Sequence, residues 1–170
     1  MTATTGDPGE QRALAALDVA RVPHRVLRHG PVGSLAEAAA ARGVAPADVV
    51  KTIVVRRAAD DYVFVLVPGD RTIAWPRLRA LLGVTRLSLA DAGAAQAATG
   101  YVRGTITPFG STSTWPVVAD ARLTGRAVTL GAGAPGVAVL VDADAVVAAL
   151  GAVVADVTDP EASRPPAPPA

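Results

Sequence analysis

The most distinctive chemical group in this sequence is a single lysine. Lys51 lies inside the run Val-Val-Lys-Thr-Ile-Val-Val-Arg at residues 49–56, and the other 15 of the 16 basic residues are arginine. Such β-branched runs are typical of a buried strand, so the amine is predicted to have apolar neighbours. Because arginine supplies positive charge elsewhere in the chain, this lysine indicates a site that needs a compact ammonium. A strand-end lysine that reaches solvent, or chance, would explain it equally well.

A second stretch with chemical potential is Thr-Gly-Tyr-Val-Arg-Gly-Thr-Ile-Thr-Pro-Phe-Gly at residues 99–110. Its glycines and proline, between regular elements, indicate a shaped loop rather than a linker. Gly104 has no Cβ, so its backbone can approach a ligand closely. The Lys51 ammonium and backbone N–H groups near Gly104 are suited to holding an oxyanion or a phosphate. We expect both groups to face the same cavity.

Other motifs carry less chemistry. Residues 131–136, Gly-Ala-Gly-Ala-Pro-Gly, fit the dinucleotide fingerprint, but a valine-rich strand follows where that motif requires a helix, so a hairpin loop is favoured. Asp142 and Asp144 lie at a predicted helix start with no nearby histidine, which favours stabilisation of the helix dipole over a metal site. The sequence contains no recognisable Ser-His-Asp or paired-carboxylate pattern. We therefore expect no metal, no cofactor and no protein general base.

The two histidines are His24 and His29. Their odd separation along a predicted strand puts them on opposite faces, so they cannot form one two-histidine site. His29, just before Gly30 and Pro31, is the better candidate for a cleft. A purely structural histidine is the more common outcome at such a position.

The elements that must position these residues alternate between helix and strand. Ser34 and Glu37 form a capping box that predicts the start of the second helix, and Pro46 begins a turn into the Lys51 strand. The predicted helices cover residues 11–19, 35–42, 75–82, 91–98 and 142–150. The predicted strands cover residues 24–29, 49–56, 62–67, 86–89, 115–119, 127–130, 136–141 and 152–157.

Composition limits the class of protein. A chain of 170 residues that is 51% hydrophobic and lacks cysteine predicts one globular domain without disulfides or thiolate metal sites. No apolar run approaches about 18 residues and no signal segment is evident, so we expect a soluble, cytoplasmic protein without a membrane partner. A net charge of +1 argues against wrapping a long nucleic acid. Residues 1–9 are predicted to be a disordered leader, residues 10–158 the folded domain, and residues 159–170 a disordered proline-rich tail.

Five landmarks in order resemble the YbaK family of freestanding aminoacyl-tRNA deacylases, relatives of the editing domain in bacterial prolyl-tRNA synthetases. They are V-x-K-T-[IL]-V at 49–54, V-L-V-P-G-D at 65–70, T-G-Y-x-x-G-x-I-[ST]-P-x-G at 99–110, G-x-x-V-x-[LV] at 136–141 and A-D-V at 155–157. The resemblance covers about residues 10–158. It implies a mixed α/β single domain with a largely antiparallel, barrel-like central sheet surrounded by helices.

The resemblance also implies roles for individual residues. The family lysine falls on Lys51, where it would anchor the aminoacylated terminus. The loop glycine falls on Gly104, whose neighbouring N–H groups would orient the water or the carbonyl, and some members carry a pocket serine at the position of Gly131. Lys51 and Gly104 are therefore the predicted catalytic residues. The predicted substrate-binding residues are His29, Thr52, Thr105, Ile106, Thr107 and Pro108.

The implied activity is hydrolysis in trans of a mischarged small amino acid, cysteine or alanine, from tRNA, most plausibly tRNA(Pro). The ribose hydroxyl of the tRNA would assist the attacking water, which agrees with the missing protein base. The implied partners are the aminoacyl-tRNA acceptor end and prolyl-tRNA synthetase, while the oligomeric state is not indicated. The alternative is a non-catalytic module that recognises a tRNA end or a synthetase. Lys51, Gly104 and Pro108 together favour the enzyme.

Overall fold

The computed structural model describes residues 6–162, and within that range the chain forms five α-helices and ten β-strands. The helices are α1 (Pro8–Val19), α2 (Leu35–Arg42), α3 (Trp75–Leu82), α4 (Ala92–Thr99) and α5 (Ala143–Leu150). The strands are β1 (His24–Arg28), β2 (Val50–Ala58), β3 (Asp61–Pro68), β4 (Arg71–Ile73), β5 (Ser88–Leu89), β6 (Val117–Asp120), β7 (Ala127–Gly131), β8 (Val137–Asp142), β9 (Val153–Ala155) and β10 (Thr158–Pro160).

The described strands form three sheets. The largest has the order β5-β2-β3-β6-β9, the second has the order β1-β8-β7, and β10 pairs with β4. The β3-β6 and β6-β9 pairs are parallel, and the other pairs are antiparallel. The predicted mixed α/β class is therefore confirmed. Strands β7 and β8 pair as an antiparallel hairpin, as predicted for residues 131–136 in place of a dinucleotide-binding loop.

The predicted barrel-like closure is not found, because the described sheets remain separate. Val49 and Thr129 form one isolated parallel bridge where a barrel would need a continuous ladder. A closed barrel requires hydrogen-bonded neighbours at both sheet edges. The five-stranded sheet instead ends at the two-residue β5 and the three-residue β9.

The central strand β3 explains why the sheet has a core on each face. Its residues after Asp61 are all buried, as expected for a strand covered on both sides. Tyr62, Phe64 and Leu66 belong to the core shared with the three-stranded sheet and with α1, α4 and α5. The alternate valines of β3 belong to a second core against Leu78 of α3.

Both ends of the folded domain extend further than predicted. Helix α1 begins at Pro8, with Asp7 Oδ1 accepting a hydrogen bond of 2.8 Å from the Gly9 amide, so residues 8 and 9 do not belong to a disordered leader. Strand β10 continues to Pro160, because it pairs with β4 and because Arg77 contacts Asp159 at 2.9 Å. The remaining leader residues 1–5 and tail residues 163–170 lie outside the described residues.

The helix boundaries agree closely with the pattern-based predictions. Helix α3 matches its predicted range, and Ser34 caps α2 by accepting a hydrogen bond of 3.1 Å from the Glu37 amide. In the described part of the chain, no helix is long and apolar enough to cross a membrane.

A close backbone contact fixes the start of β2. A Cβ on Gly69 would lie 2.2 Å from the Pro46 carbonyl oxygen, 2.8 Å from Leu35 Cδ2 and 3.0 Å from the Val49 carbonyl oxygen. Glycine is therefore required where the β3–β4 turn meets the 3-10 turn at residues 46–48. This contact holds the turn that leads directly to Lys51.

We expect Gly69→Ala to lower the free energy of unfolding by about 2 kcal/mol, because the opposing Pro46 oxygen belongs to the backbone and cannot rotate away. The unfolding midpoint, measured by circular dichroism, should fall by roughly 4–8 °C. Gly93→Ala is the matched control, since its Cβ would meet Asp91 Oδ1 at 3.5 Å, an ordinary contact, and alanine favours the helix. Equal midpoints for the two variants would contradict the close-contact argument.

Candidate functional site

Lys51 lies at the start of β2, opposite Val67 of β3. Its side chain is half-buried, and Nζ donates a hydrogen bond to the Arg71 carbonyl oxygen at the beginning of β4. Burial lowers the pKa of the Lys51 amine, and the carboxylates of Glu161 and Asp70 partly oppose this shift. The Lys51 amine therefore donates to one backbone acceptor, and the two nearby carboxylates favour its charged form.

Helix α1 contacts the base of the loop at residues 99–110, here called the glycine-rich loop, through Arg12. The Arg12 guanidinium donates hydrogen bonds to the carbonyl oxygens of Gly100 at 3.0 Å and Gly110 at 3.4 Å. It also stacks over the Tyr101 ring, with Cζ 4.8 Å from the ring centroid. The Tyr101 hydroxyl donates to the Phe109 carbonyl oxygen at 2.7 Å. These contacts join the two ends of the loop and hold its base against α1.

Gly104 occupies the exposed part of this loop. Its φ is +89°, and a Cβ built on it would meet nothing within 4 Å. The left-handed backbone conformation therefore favours glycine there, while the space beside it is open. The next residue closes the turn, because the Thr105 amide donates to the Val102 carbonyl oxygen at 3.0 Å.

One cleft joins these two parts of the chain. Its volume is about 410 Å³, and it lies between α2, the start of β2, the glycine-rich loop and the end of β7. Lys51 and Gly104 both line it. The full set of lining residues is Val32, Ser34, Leu35, Ala38, Arg42, Val49, Val50, Lys51, Thr52, Arg103, Gly104, Ile106 and Gly131.

The charged side chains that line the cleft are all cationic. They are Arg42, Lys51 and Arg103, and no carboxylate belongs to the lining among residues 6–162. Arg42 donates from Nη1 to Thr129 Oγ1 at 3.1 Å and from Nε to His29 Nε2 at 3.4 Å. Burial lowers the pKa of the Arg42 guanidinium, which nevertheless remains charged at neutral pH. The cleft is thus suited to an anionic ligand.

Thr52 contributes a neutral polar group to the wall of the cleft. Its Oγ1 is buried and has no hydrogen-bond partner among the described residues. Buried polar atoms are normally hydrogen-bonded, so this hydroxyl can donate to or accept from a bound ligand. An arrangement of three cations, one such hydroxyl and an open glycine backbone can bind a phosphate and polarise a neighbouring carbonyl.

The predicted site residues separate into two groups. Thr52 and Ile106 line the cleft together with Lys51 and Gly104. The other four predicted residues, His29, Thr105, Thr107 and Pro108, are not part of its lining.

Local contacts explain why these residues lie elsewhere. Thr105 Oγ1 donates to the Val102 carbonyl oxygen at 2.7 Å, and Thr107 Oγ1 accepts from the Phe109 amide at 3.3 Å, so both buried hydroxyls stabilise the loop itself. His29 lies outside the lining, where its Nε2 accepts a hydrogen bond from Arg42 Nε. The direct substrate contacts expected of these side chains are therefore not supported by their positions.

Sequence reasoning missed Arg42 and Arg103 as cleft residues. Arg42 lies in the last turn of α2, where a basic residue is expected simply to complement the helix dipole. Gly131 belongs to the glycine motif at residues 131–136 and stands where some family members carry a serine; a Cβ built on it would lie 3.4 Å from the Ile106 carbonyl oxygen of the loop. Composition does not distinguish Arg42 from the other arginines, because 15 of the 16 basic residues are arginine.

Comparison with known proteins identifies the family. Residues 29–149 match the family model described as an aminoacyl-tRNA editing domain. The chain belongs to this family. The predicted resemblance is thereby confirmed. A search of curated protein sequences finds no significant match.

Solved structures of other proteins share the fold of this editing domain. The crystal structure of a hypothetical protein, APE2540, is 30% identical with a TM-score of 0.80, covering 87% of this chain and 99% of that chain. A structure described as a candidate trans-editing enzyme for prolyl tRNA synthetase is 24% identical with a TM-score of 0.81, covering 90% of this chain and 98% of that chain.

Within residues 6–162 of the editing domain, His, Asp and Glu side chains form no cluster that could hold a metal ion.

We expect the measured pKa of the Lys51 amine to lie below that of an exposed lysine, because burial outweighs the nearby carboxylates. Since Lys51 is the only lysine, reductive ¹³C-methylation labels just this side chain and the N-terminal amine, and both can be titrated by NMR. Asp70→Asn should lower the Lys51 pKa further, because an opposing negative charge is removed. Asp60→Asn, at an exposed loop position, is the matched control. A Lys51 pKa equal to that of an ordinary exposed lysine would contradict the burial argument.

Proposed function

We propose that this editing domain is a trans-acting deacylase that hydrolyses the ester between a mischarged small amino acid and tRNA. The observation that carries the proposal is the cleft that Lys51 and Gly104 both line, with cationic but no acidic residues in its described lining. The 3′ end of an aminoacyl-tRNA presents a phosphodiester next to an activated ester carbonyl. A cationic cleft with a polar backbone loop matches both features.

In the proposed reaction, a water oxygen attacks the ester carbonyl carbon, and the bond between that carbon and the ribose oxygen then breaks. The proton from the water passes to the departing ribose oxygen, with the neighbouring ribose hydroxyl assisting the transfer. Backbone N–H groups around Gly104 stabilise the oxyanion of the tetrahedral intermediate. Lys51 and Arg42 hold the terminal phosphate, so they position the ester without taking part in proton transfer.

The proposed substrate carries a small amino acid, cysteine or alanine. Leu35, Val50 and Ile106 are among the apolar residues that line the cleft, which suits a small uncharged side chain. The unpartnered Thr52 hydroxyl can accept a hydrogen bond from the α-ammonium group. Assignment to tRNA(Pro), with prolyl-tRNA synthetase as a partner, is supported by the structural likeness to a candidate trans-editing enzyme for that synthetase.

The second candidate function is a non-catalytic module that binds a tRNA end or a synthetase. Among residues 6–162, no carboxylate or histidine that could act as a general base lines the cleft, which favours this second function, since a binding site needs none. A screen of deacylation and binding across mischarged tRNAs separates the two functions. Release of amino acid supports the enzyme, and binding without release from any charged tRNA supports the module.

We expect Lys51→Ala to reduce kcat/KM for mischarged tRNA roughly a hundredfold, because an ammonium that positions the ester is removed. Release of radiolabelled amino acid from Cys-tRNA(Pro) and Ala-tRNA(Pro) measures this loss. Lys51→Arg should retain part of the activity, since it keeps the charge but not the compact shape. Arg25→Ala, on the exposed side of β1, is the control and should retain full activity. Undiminished hydrolysis by Lys51→Ala would remove this residue from the mechanism.

We expect Arg42→Gln to raise KM about tenfold with a smaller change in kcat, because a phosphate contact acts in the ground state and the transition state alike. Steady-state kinetics with the same charged tRNA separates the two constants. Arg42→Lys should give a KM between those of the wild type and Arg42→Gln, since the charge remains while the contacts to Thr129 and His29 are altered. A fall in kcat at constant KM would instead assign Arg42 to the chemical step.

A further inference from the structure

A second basic surface lies at the opposite end of β2 from the cleft. Arg56, Arg57, Arg79 and Arg86 line an open depression of about 480 Å³, which we call the arginine surface. The end of β2 supplies Arg56 and Arg57, the last turn of α3 supplies Arg79, and the segment before β5 supplies Arg86. Three separate parts of the chain thus bring guanidinium groups to one place.

Most of the charge on the arginine surface is uncompensated. Arg57 pairs with Asp61 at 2.9 Å, whereas the side chains of Arg56, Arg79 and Arg86 make no ion pair with any described residue. No described carboxylate lines the depression. Asp60 and Asp91 line a neighbouring depression that shares Arg56 and Ser88 with the arginine surface.

The position of the arginine surface relates it to the cleft. Lys51 and Arg56 are five residues apart on β2, which corresponds to about 16 Å at the usual rise per residue, and their odd separation puts the two side chains on opposite faces of the strand. This span is short compared with a tRNA acceptor arm. An RNA whose 3′ end occupies the cleft reaches the second surface by passing the β2 edge of the sheet, which β5 covers only at Val55 and Arg56.

We propose that the arginine surface binds the sugar-phosphate backbone of the RNA duplex whose 3′ end enters the cleft. The proposal rests on the proposed function, because it takes aminoacyl-tRNA as the ligand of the cleft. Guanidinium groups form paired hydrogen bonds to phosphate oxygens. Duplex RNA is recognised mainly through its phosphates, hydroxyls and shape, so the surface needs no base-reading side chains.

The chemistry of the surface favours RNA over an acidic protein partner. Stable protein interfaces are centred on buried aromatic or large apolar anchors. No aromatic residue of the described range 6–162 lines the depression, and Ala58 and Leu87 are the apolar residues in this lining. Open, unpaired arginines without such a centre match the phosphate contacts that position a nucleic acid.

The first test measures binding of uncharged tRNA(Pro) by fluorescence anisotropy at several salt concentrations. Arg56→Gln/Arg86→Gln should bind roughly tenfold more weakly, and the slope of log K against log salt should decrease by about 1 per arginine. Arg21→Gln/Arg25→Gln is the matched control, because it removes the same charge from exposed positions outside both depressions. Equal weakening by both double variants would indicate a net-charge effect and overturn the proposal.

The second test separates this proposal from the function on which it rests. For Arg56→Gln/Arg86→Gln, the ratio of kcat/KM for charged tRNA to that for a charged CCA trinucleotide should fall roughly tenfold. An unchanged ratio, with the wild type active on both substrates, overturns the duplex contact and leaves the deacylase intact. If the wild type hydrolyses neither substrate, the proposed deacylase function is wrong, while the anisotropy result still decides whether the arginine surface binds RNA. Loss of binding to prolyl-tRNA synthetase with unchanged tRNA affinity would assign the surface to a protein and overturn the proposal.

Discussion

The partial burial of one ammonium group organises the structure around the cleft. Burial opposes the charge on Lys51, and a lone buried cation would be unfavourable. The chain offsets this effect with the Arg71 carbonyl and with the carboxylates of Asp70 and Glu161. These groups come from the β3–β4 turn, from the first residue of β4 and from the segment after β10, so the pairing of β10 with β4 also serves the site. Electrostatic support for one amine thus links distant parts of the sequence.

Close backbone contacts give the cleft its shape. Gly69 packs beneath the Pro46 carbonyl and fixes the entry to β2, while Arg12 joins the two ends of the glycine-rich loop. In both cases the supporting groups lie outside the cleft lining. A site that must position a reactive ester needs such rigid support, because small displacements of the reacting groups reduce the rate strongly. The loop tip at Gly104 remains open even though its base is held.

The distribution of charge distinguishes this editing domain from a general nucleic-acid-binding protein. Its net charge is only +1, yet the cleft and the arginine surface each hold unpaired cations. Acidic side chains pair with several arginines elsewhere, as in the contacts of Arg77 with Asp156 and Asp159. A protein of this kind can bind one end of a polyanion without adhering along its length. Local placement of charge, rather than its total, sets the expected partner.

The sequence by itself determined the elements and the chemical theme. β-branched runs, Ser34 as a cap and Pro76 in the first turn of α3 act over a few residues, so local physics is sufficient to place strands and helices. The order of motifs was sufficient for the family, and the types of Lys51 and Gly104 indicated an anion site. Tertiary structure alone decided that α2 brings Arg42 to the cleft, that Thr105 and Thr107 turn inward, and that the sheets stay open. Those outcomes depend on contacts between residues far apart in the chain, which no local pattern encodes.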